Sequence, residues 1–200
     1  MPEQEIPRVP MTTEEIEAAN LGAPTRPDGR IVLRDHDPRW PAAYQREAAG
    51  MAERLAHLDH RIEHVGSTSV PDLPAKPVVD MLLIVPDSAD EAAYVPALEA
   101  LGYRLAVREP DWYEHRVLRR YAIDPSADYA NLHVLSAGCP EIGRMLRFRD
   151  RLRRHRGDRE LYADAKRALA EQSWEYLQNY ADAKTEVIAG IIERAAAEAE

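Results

Sequence analysis

Apolar residues recur along the chain at two different spacings, and each spacing predicts its own set of elements. From Tyr44 to Leu58 the apolar positions lie three and four residues apart, which predicts an amphipathic helix entered through Pro41. Residues 61–65 and 78–85 read as strands, and the second is apolar on both faces, as expected inside a sheet. Three more strands are predicted at 103–108, 113–122 and 129–135.

The remaining apolar spacing is helical. A short helix is predicted at 13–19, and the capping-box spacing of Ser88 and Glu91 predicts another that Gly102 ends. After residue 139 only helices are predicted, over 140–155, over 158–170 and from Ser173 to the end.

This order of elements predicts an α+β fold with a mixed sheet flanked by helices and followed by a helical C-terminal part. We predict an N-terminal arm over residues 1–30, which hold five of the fifteen prolines. The α/β core is expected over 31–138, and residues 139–200 form the helical part of the same domain.

Composition limits the class of protein. A chain of 200 residues and 22.6 kDa fits one globular domain. Cys139 is the single cysteine, which excludes an internal disulfide framework and a thiolate zinc cage, so we expect a reducing cytoplasm. The longest apolar run, 81–85, is far too short to span a membrane. A net charge of −9 argues against a nucleic acid or an anionic membrane as the partner.

The basic residues are distributed unevenly. The chain has 23 arginines and only three lysines, Lys76, Lys166 and Lys184. Lys184 is unusual because it falls on the apolar stripe of the last predicted helix, where it either extends past the core or reaches a site. Residues 144–167 carry ten basic and four acidic side chains, which suits either a solvated helix face or an anionic ligand.

The segment 62–85 is the most informative for chemistry. A strand ends at Gly66, and the hydroxyl side chains of residues 67–69 follow. Lys76 precedes the next strand, and Asp80 lies within it. Hydroxyls and backbone amides can hold phosphate oxygens, and a carboxylate in an apolar strand needs a partner. The alternative is an ordinary polar turn. The segment fits neither a P-loop nor a nucleophile elbow.

A second group of polar residues lies on the predicted strands. On 129–135, Leu132 and Val134 share one face, so His133 lies on the other, beside Asn131. A lone strand histidine is more often structural than catalytic. His64 and Glu114 flank the same sheet and are further candidates.

These motifs together resemble the GrpB family, which is grouped with the nucleotidyltransferase superfamily of the DNA polymerase β type. The resemblance covers about residues 31–195. It is carried by the segments 37–41, 64–80, 131–134, 148–155 and 161–170 and by Tyr180 with Lys184. It implies a nucleotidyltransferase-like fold, a Gly-Ser loop that holds the phosphates and carboxylates for two divalent cations.

Residue by residue, Gly66 and Ser67 match the loop and Asp80 matches the first carboxylate. The second carboxylate would stand at position 82, where this chain has Leu82, and His133 occupies the later strand that carries a third acid in the superfamily. Three alternatives follow. Glu114 or another acid completes the centre, or Asp80 and His133 hold one cation, or the chain only binds a nucleotide.

The resemblance therefore implies a nucleotidyltransferase-like enzyme acting on a nucleoside triphosphate or related phosphorylated ligand, with an acceptor that the sequence leaves open. Asp80 and His133 are the expected catalytic residues. Asp80, His133 and Glu114 are the expected ligands of a divalent cation, Mg²⁺ or Mn²⁺ before Zn²⁺. The expected phosphate- or nucleotide-binding residues are His64, Gly66, Ser67, Thr68, Ser69, Lys76, Arg149, Lys166 and Lys184.

Two other functions fit parts of the sequence. One is a non-catalytic nucleotide- or small-ligand-binding module that has lost the two-metal centre. The other is an RNA-binding protein that uses the basic stripe at 144–167, in which case its affinity would fall steeply with salt.

Overall fold

A five-stranded mixed sheet forms the centre of the protein. The structure is a computed structural model that describes residue 6 and residues 8–198. The strands are β1 (Arg61–Val65), β2 (Val78–Val85), β3 (Arg104–Glu109), β4 (His115–Asp124) and β5 (Ala127–Ser136). Their order in the sheet is β1-β2-β5-β4-β3, and only the β2–β5 pair is parallel. The parallel pairing therefore holds β2 and β5 side by side within the sheet.

Helices pack on both faces of this sheet. They are α1 (Thr13–Ala19), α2 (Trp40–Arg54), α3 (Val95–Glu99), α4 (Pro140–Arg154), α5 (Arg156–Ala170), α6 (Leu177–Asp182) and α7 (Thr185–Ala197). The α+β class predicted from the sequence, with helices only after β5, is confirmed. No helix among the described residues combines the length and apolar character needed to cross a bilayer.

The two faces of the sheet have different roles. Met81, Leu83, Leu132 and Val134 point to one face, where α2 and α3 cover the main apolar core. Their sequence neighbours on β2 and β5 point to the opposite face, toward α4. Since strand residues alternate, the polar positions of β2 and β5 share that second face.

The N-terminal segment packs against the edge strand of the sheet. Thr12 caps α1 through a capping box with Glu15, and Ile16 of α1 is fully buried. The backbone of Leu21 donates to the carbonyl of Ala106 in β3, at 3.0 Å. Residues 1–5 and 7 of the predicted arm lie outside the described residues.

Two predicted helices differ from the structure. Ser88 does not cap a helix, because its amide and hydroxyl bind the Ser136 hydroxyl, both at 2.9 Å. A 3₁₀ turn over Glu91–Ala93 and the short α3 take the place of one helix. The single helix predicted from Ser173 is in fact α6 and α7, and residues 199–200 of it lie outside the described part.

Candidate functional site

The turn after β1 lies directly against Asp80. Gly66 has a φ of +67°, and a Cβ added there would lie 2.5 Å from Asp80 Oδ2 and 2.8 Å from Asp80 Cβ. Only glycine fits both the backbone conformation and this close approach. The pairing of Val65 with Asp80 across β1 and β2 fixes the contact. The carboxylate therefore sits beside the turn.

Cations rather than other acids surround Asp80. Its Oδ1 accepts a hydrogen bond from Asn131 Nδ2 at 3.0 Å, and Asn131 Oδ1 accepts one from Arg119 Nε at 3.0 Å. Burial raises the pKa of Asp80, while the Asn131 hydrogen bond and the charges of Lys76, Lys184 and Arg119 oppose that rise. This arrangement balances the carboxylate against positive charge.

The hydroxyl side chains of the turn have two different roles. Thr68 Oγ1 donates to the carbonyl of Val78 at 3.0 Å, and Ser69 Oγ donates to the carbonyl of Gly66 at 2.6 Å. Both therefore hold the turn together rather than face a ligand. Ser67 borders the cavity described next, and its Oγ accepts a hydrogen bond from Lys166 Nζ at 3.1 Å.

A cavity of about 390 Å³ opens over the polar face of β2 and β5. Its walls come from the sheet, from α4 to α7 and from the N-terminal segment. All three lysines of the chain, Lys76, Lys166 and Lys184, border it. Because these lysines come from three separated parts of the sequence, the fold gathers into one cavity every lysine that the chain contains.

Tyr180 lies between two of these lysines. The Nζ atoms of Lys76 and Lys184 lie 5.5 Å and 4.1 Å from the centre of its ring. The residue is 1% exposed, borders the cavity, and its hydroxyl has no hydrogen-bond partner among the described residues. An unsatisfied buried hydroxyl is costly, so a ligand that reached this one would relieve that cost.

Burial weakens the positive charge of the lysines. It lowers the pKa of Lys166 to about 6, with a further contribution from the charge of Lys184. It lowers the pKa of Lys184 to about 7, with a further contribution from Lys76. An anion in the cavity would favour protonation of these amines, because an opposite charge stabilises the charged form.

His133 borders the cavity at the end of a buried chain of hydrogen bonds. Its Nδ1 lies 3.0 Å from His115 Nε2, and His115 Nδ1 lies 2.7 Å from Glu109 Oε2. Arg8 donates to Glu109 Oε1 at 2.7 Å. Burial lowers the pKa of His133 to about 3. Burial opposes the charge of Glu109, but hydrogen bonds from His115 and Arg8 hold its pKa at about 2.

Three predicted site residues have other surroundings. His64 faces the opposite side of the sheet, where its ring stacks on Tyr44 and its Nε2 binds Thr68 Oγ1 at 3.2 Å. Arg149 borders the cavity, but Glu63 and Asp150 hold its guanidinium. Glu114 pairs with Arg116 at 2.9 Å and has a 46% exposed side chain.

The residues near Asp80 do not fit a two-metal centre. Within the described part of the chain, no three His, Cys, Asp or Glu side chains are grouped so that they could hold a metal ion. Leu82, at the position of the expected second acid, is fully buried with Val65 and Leu135. Glu114 does not border the cavity of Asp80. Asp80 alone offers too few oxygens for two hard cations.

Sequence reasoning missed several residues of the cavity. Alternation along the predicted strand 113–122 places His115 and Arg119 on one face, and this signal was available. Nothing local links Glu109 to His115, since a bend separates β3 from β4. The sequence shows Tyr180 only as a residue four positions before Lys184, and its buried hydroxyl depends on tertiary packing.

Comparison with known proteins places the chain among its relatives. The sequence model described as GrpB protein matches residues 30–194. The chain belongs to the GrpB family. The UPF0157 protein BH1888 of Halalkalibacterium halodurans is 50% identical over 186 residues, 93% of each chain. The crystal structure of the conserved protein GrpB from Enterococcus faecalis matches with a TM-score of 0.70 and 28% identity, covering 82% of this chain and 96% of that one.

A related segment also occurs within a longer protein. The dephospho-CoA kinase of Mycolicibacterium paratuberculosis is 32% identical over 158 residues, which cover 68% of this chain and 39% of that protein. A GrpB-related segment therefore forms part of a longer chain that is named dephospho-CoA kinase.

Proposed function

We propose that this GrpB-family protein is a nucleotidyltransferase-like protein that binds a nucleoside triphosphate or a related phosphorylated small molecule in the lysine-lined cavity. The observation that carries the proposal is the convergence of Lys76, Lys166 and Lys184 on one cavity in a chain that otherwise uses arginine. A lysine ammonium is a compact point charge and a common phosphate ligand.

Hydrogen-bond donors of the right kind accompany these charges. The Tyr180 hydroxyl is buried and has no hydrogen-bond partner in the described part of the chain, and Lys166 donates to the Ser67 hydroxyl. Phosphate oxygens accept several hydrogen bonds at once, so they would satisfy groups that the protein leaves partly unsatisfied.

The cavity also has the size and the apolar wall that a nucleotide needs. Its volume of about 390 Å³ lies within the usual range for small-molecule sites. Phe148, Leu152 and Ile188 form an apolar part of its lining, suited to the base or another flat group. The relative named dephospho-CoA kinase makes dephospho-CoA a second ligand to test beside the nucleoside triphosphates.

A divalent cation enters this proposal only as a companion of the ligand. Mg²⁺ or Mn²⁺ bound to a triphosphate would find one protein carboxylate, Asp80, at the edge of the turn. The alternative function, a binding module without catalysis, is favoured by one specific observation, the buried Leu82 in place of the second acid.

The test is a thermal-shift titration of the full chain at neutral pH. ATP, GTP, CTP, UTP, dephospho-CoA and pyrophosphate are each added with Mg²⁺, with Mn²⁺ and with EDTA. We expect at least one of these ligands to raise the melting temperature in a saturable way. Lys76→Met is expected to lower the affinity for that ligand at least tenfold, because it removes a cation from the cavity.

The matched control is Arg30→Met, which removes an exposed cation that pairs with Glu171 outside the cavity. It is expected to leave the titration unchanged. If no ligand stabilises the wild type, or if Lys76→Met and Arg30→Met respond alike, the proposal is wrong. If a ligand raises the melting temperature equally with Mg²⁺ and with EDTA, and does so to the same extent in Asp80→Asn, the divalent cation is not part of the site. The binding of a phosphorylated ligand would still stand.

A further inference from the structure

A buried relay of three side chains ends at the cavity. Glu109 Oε2, His115 and His133 follow one another at 2.7 Å and 3.0 Å, and the planes of the two imidazole rings are 10° apart. Glu109 and His115 are less than 10% exposed, and Arg8 binds the second oxygen of Glu109. The relay thus links a fixed carboxylate to a histidine that borders the candidate nucleotide site.

The direction of the hydrogen bonds sets the tautomers of both histidines. A carboxylate only accepts, so His115 must donate from Nδ1 to Glu109, and when His115 carries that proton alone its Nε2 accepts. His133 must therefore donate from its Nδ1. Its Nε2 keeps a free lone pair and makes no hydrogen bond with any described residue.

The relay also occupies an informative place in the sheet. His133 on β5 is the direct neighbour of Leu82 on β2, the position where the superfamily pattern would put a second acid. Where carboxylates and cations would otherwise activate the attacking oxygen, this chain has an imidazole supported by a second imidazole and a carboxylate. Such an arrangement holds a histidine in one tautomer, and the charge of Glu109 raises the pKa of His133 against the larger lowering by burial.

We infer that His133 Nε2 is the general base of this site and that His115 and Glu109 are its positioning residues. The inference rests on the proposed function. A hydroxyl oxygen of the acceptor, or of water, bonds to the α-phosphorus of the triphosphate while the bond from that phosphorus to the bridging oxygen breaks. Pyrophosphate leaves with the electron pair of the broken bond, and the hydroxyl proton moves to His133 Nε2.

The first experiment measures the tautomers directly. Long-range ¹H–¹⁵N correlation spectra of the histidine rings are recorded at neutral pH, with the His133 signals assigned by their loss in His133→Gln. The wild type is expected to carry its proton on Nδ1 of His133. A proton on Nε2 of His133 in the wild type would overturn the inference, and this measurement needs no folded variant other than the one used for assignment.

Glu109→Gln is expected to reverse both tautomers. Arg8 still donates to the oxygen nearer to it, so the glutamine carbonyl faces Arg8 and the amide group donates to His115 Nδ1. His115 then donates from Nε2, and His133 carries its proton on Nε2, where it can no longer act as a base. Glu99→Gln, an exposed site on α3, is the matched control and leaves the spectra unchanged. A Glu109→Gln protein with wild-type tautomers would contradict the relay.

The second experiment separates binding from chemistry. Pyrophosphate release from the triphosphate that binds best is followed with water and with glycerol as acceptors. His133→Gln and Glu109→Gln are each expected to slow release by about 100-fold or more, the usual contribution of a general base, with ligand affinity within threefold of wild type. If the wild type binds the triphosphate but releases no pyrophosphate, the assignment of His133 as general base is wrong and the proposed function stands. Absence of binding would overturn the proposed function itself.

Discussion

At the scale of single residues, the contact between Gly66 and Asp80 joins backbone conformation to the chemistry of the cavity. Gly66→Ala would add both left-handed strain and a methyl group 2.5 Å from Asp80 Oδ2. Gly138 is the matched control, because its φ is +90° and nothing lies within 4 Å of an added Cβ.

We predict that Gly138→Ala lowers the free energy of unfolding by roughly 1–2 kcal/mol, the cost of the left-handed conformation alone. Gly66→Ala should cost several kcal/mol in total, since the side chain of Asp80 or the turn must also move. Urea unfolding measures both. Equal costs for the two variants would show that the turn does not press on Asp80.

Single residues also show what the sequence could predict about the site. Asp80, Ser67 and the three lysines were identifiable because unusual residue types stood out against their local pattern. The uses of Thr68 and Ser69 were not, because a hydroxyl in a turn can face a ligand or the turn itself, and only the positions of the neighbouring carbonyls decide between them.

At the scale of elements, the break between α6 and α7 gives Lys184 its position in the cavity. The apolar stripe predicted one continuous helix, but Ala183 and Lys184 lie between two helices, and Lys184 is the N-cap residue of α7. Periodicity locates the buried side of such a segment without locating a break in it. Strands 61–65 and 78–85 were predicted to the residue because alternation and turn residues agree there.

The burial of Lys184 predicts a cost in stability that depends on pH. Its pKa falls from an ordinary 10.5 to about 7 in the folded protein. Between those values the unfolded chain binds more protons, so the stability of the wild type rises with pH across this range, and the cost is complete below pH 7. Lys184→Met should therefore raise the melting temperature at pH 7, by about 2–4 °C for each kcal/mol of relief.

Calorimetry at pH 7 and pH 10 measures this effect. The advantage of Lys184→Met should shrink at pH 10, where the lysine is neutral in the folded protein and the unfolded chain begins to lose its proton. Arg30→Met should stay within about 0.5 kcal/mol of wild type at either pH, as expected of a surface change. A Lys184→Met protein less stable than wild type at pH 7 would contradict a net cost of burying the Lys184 amine.

At the scale of the whole molecule, the positive charge outside the cavity is mostly neutralised within the fold. In the basic stripe at 144–167, Arg151 binds Asp158 and Glu198, Arg156 binds Glu160, and Arg167 binds Asp164. Such pairs support the interpretation of the stripe as a helix face that meets the acidic remainder of the protein. The lysine cavity differs, since its cations come from distant segments and converge on one space.

The small number of lysines allows a direct test of the central claim that all three line one phosphate-binding cavity. With only three lysines in the sequence, a protein labelled with ¹³C in its lysine side chains gives three Cε signals, each assignable by one Lys→Met variant. ATP, or whichever ligand stabilises the protein most, is titrated into the labelled full chain at pH 7. We predict that all three signals shift together along one saturation curve, toward the protonated state for Lys166 and Lys184. Three signals that stay fixed at millimolar ligand, or shifts with unrelated curves, would contradict a single phosphate-binding cavity.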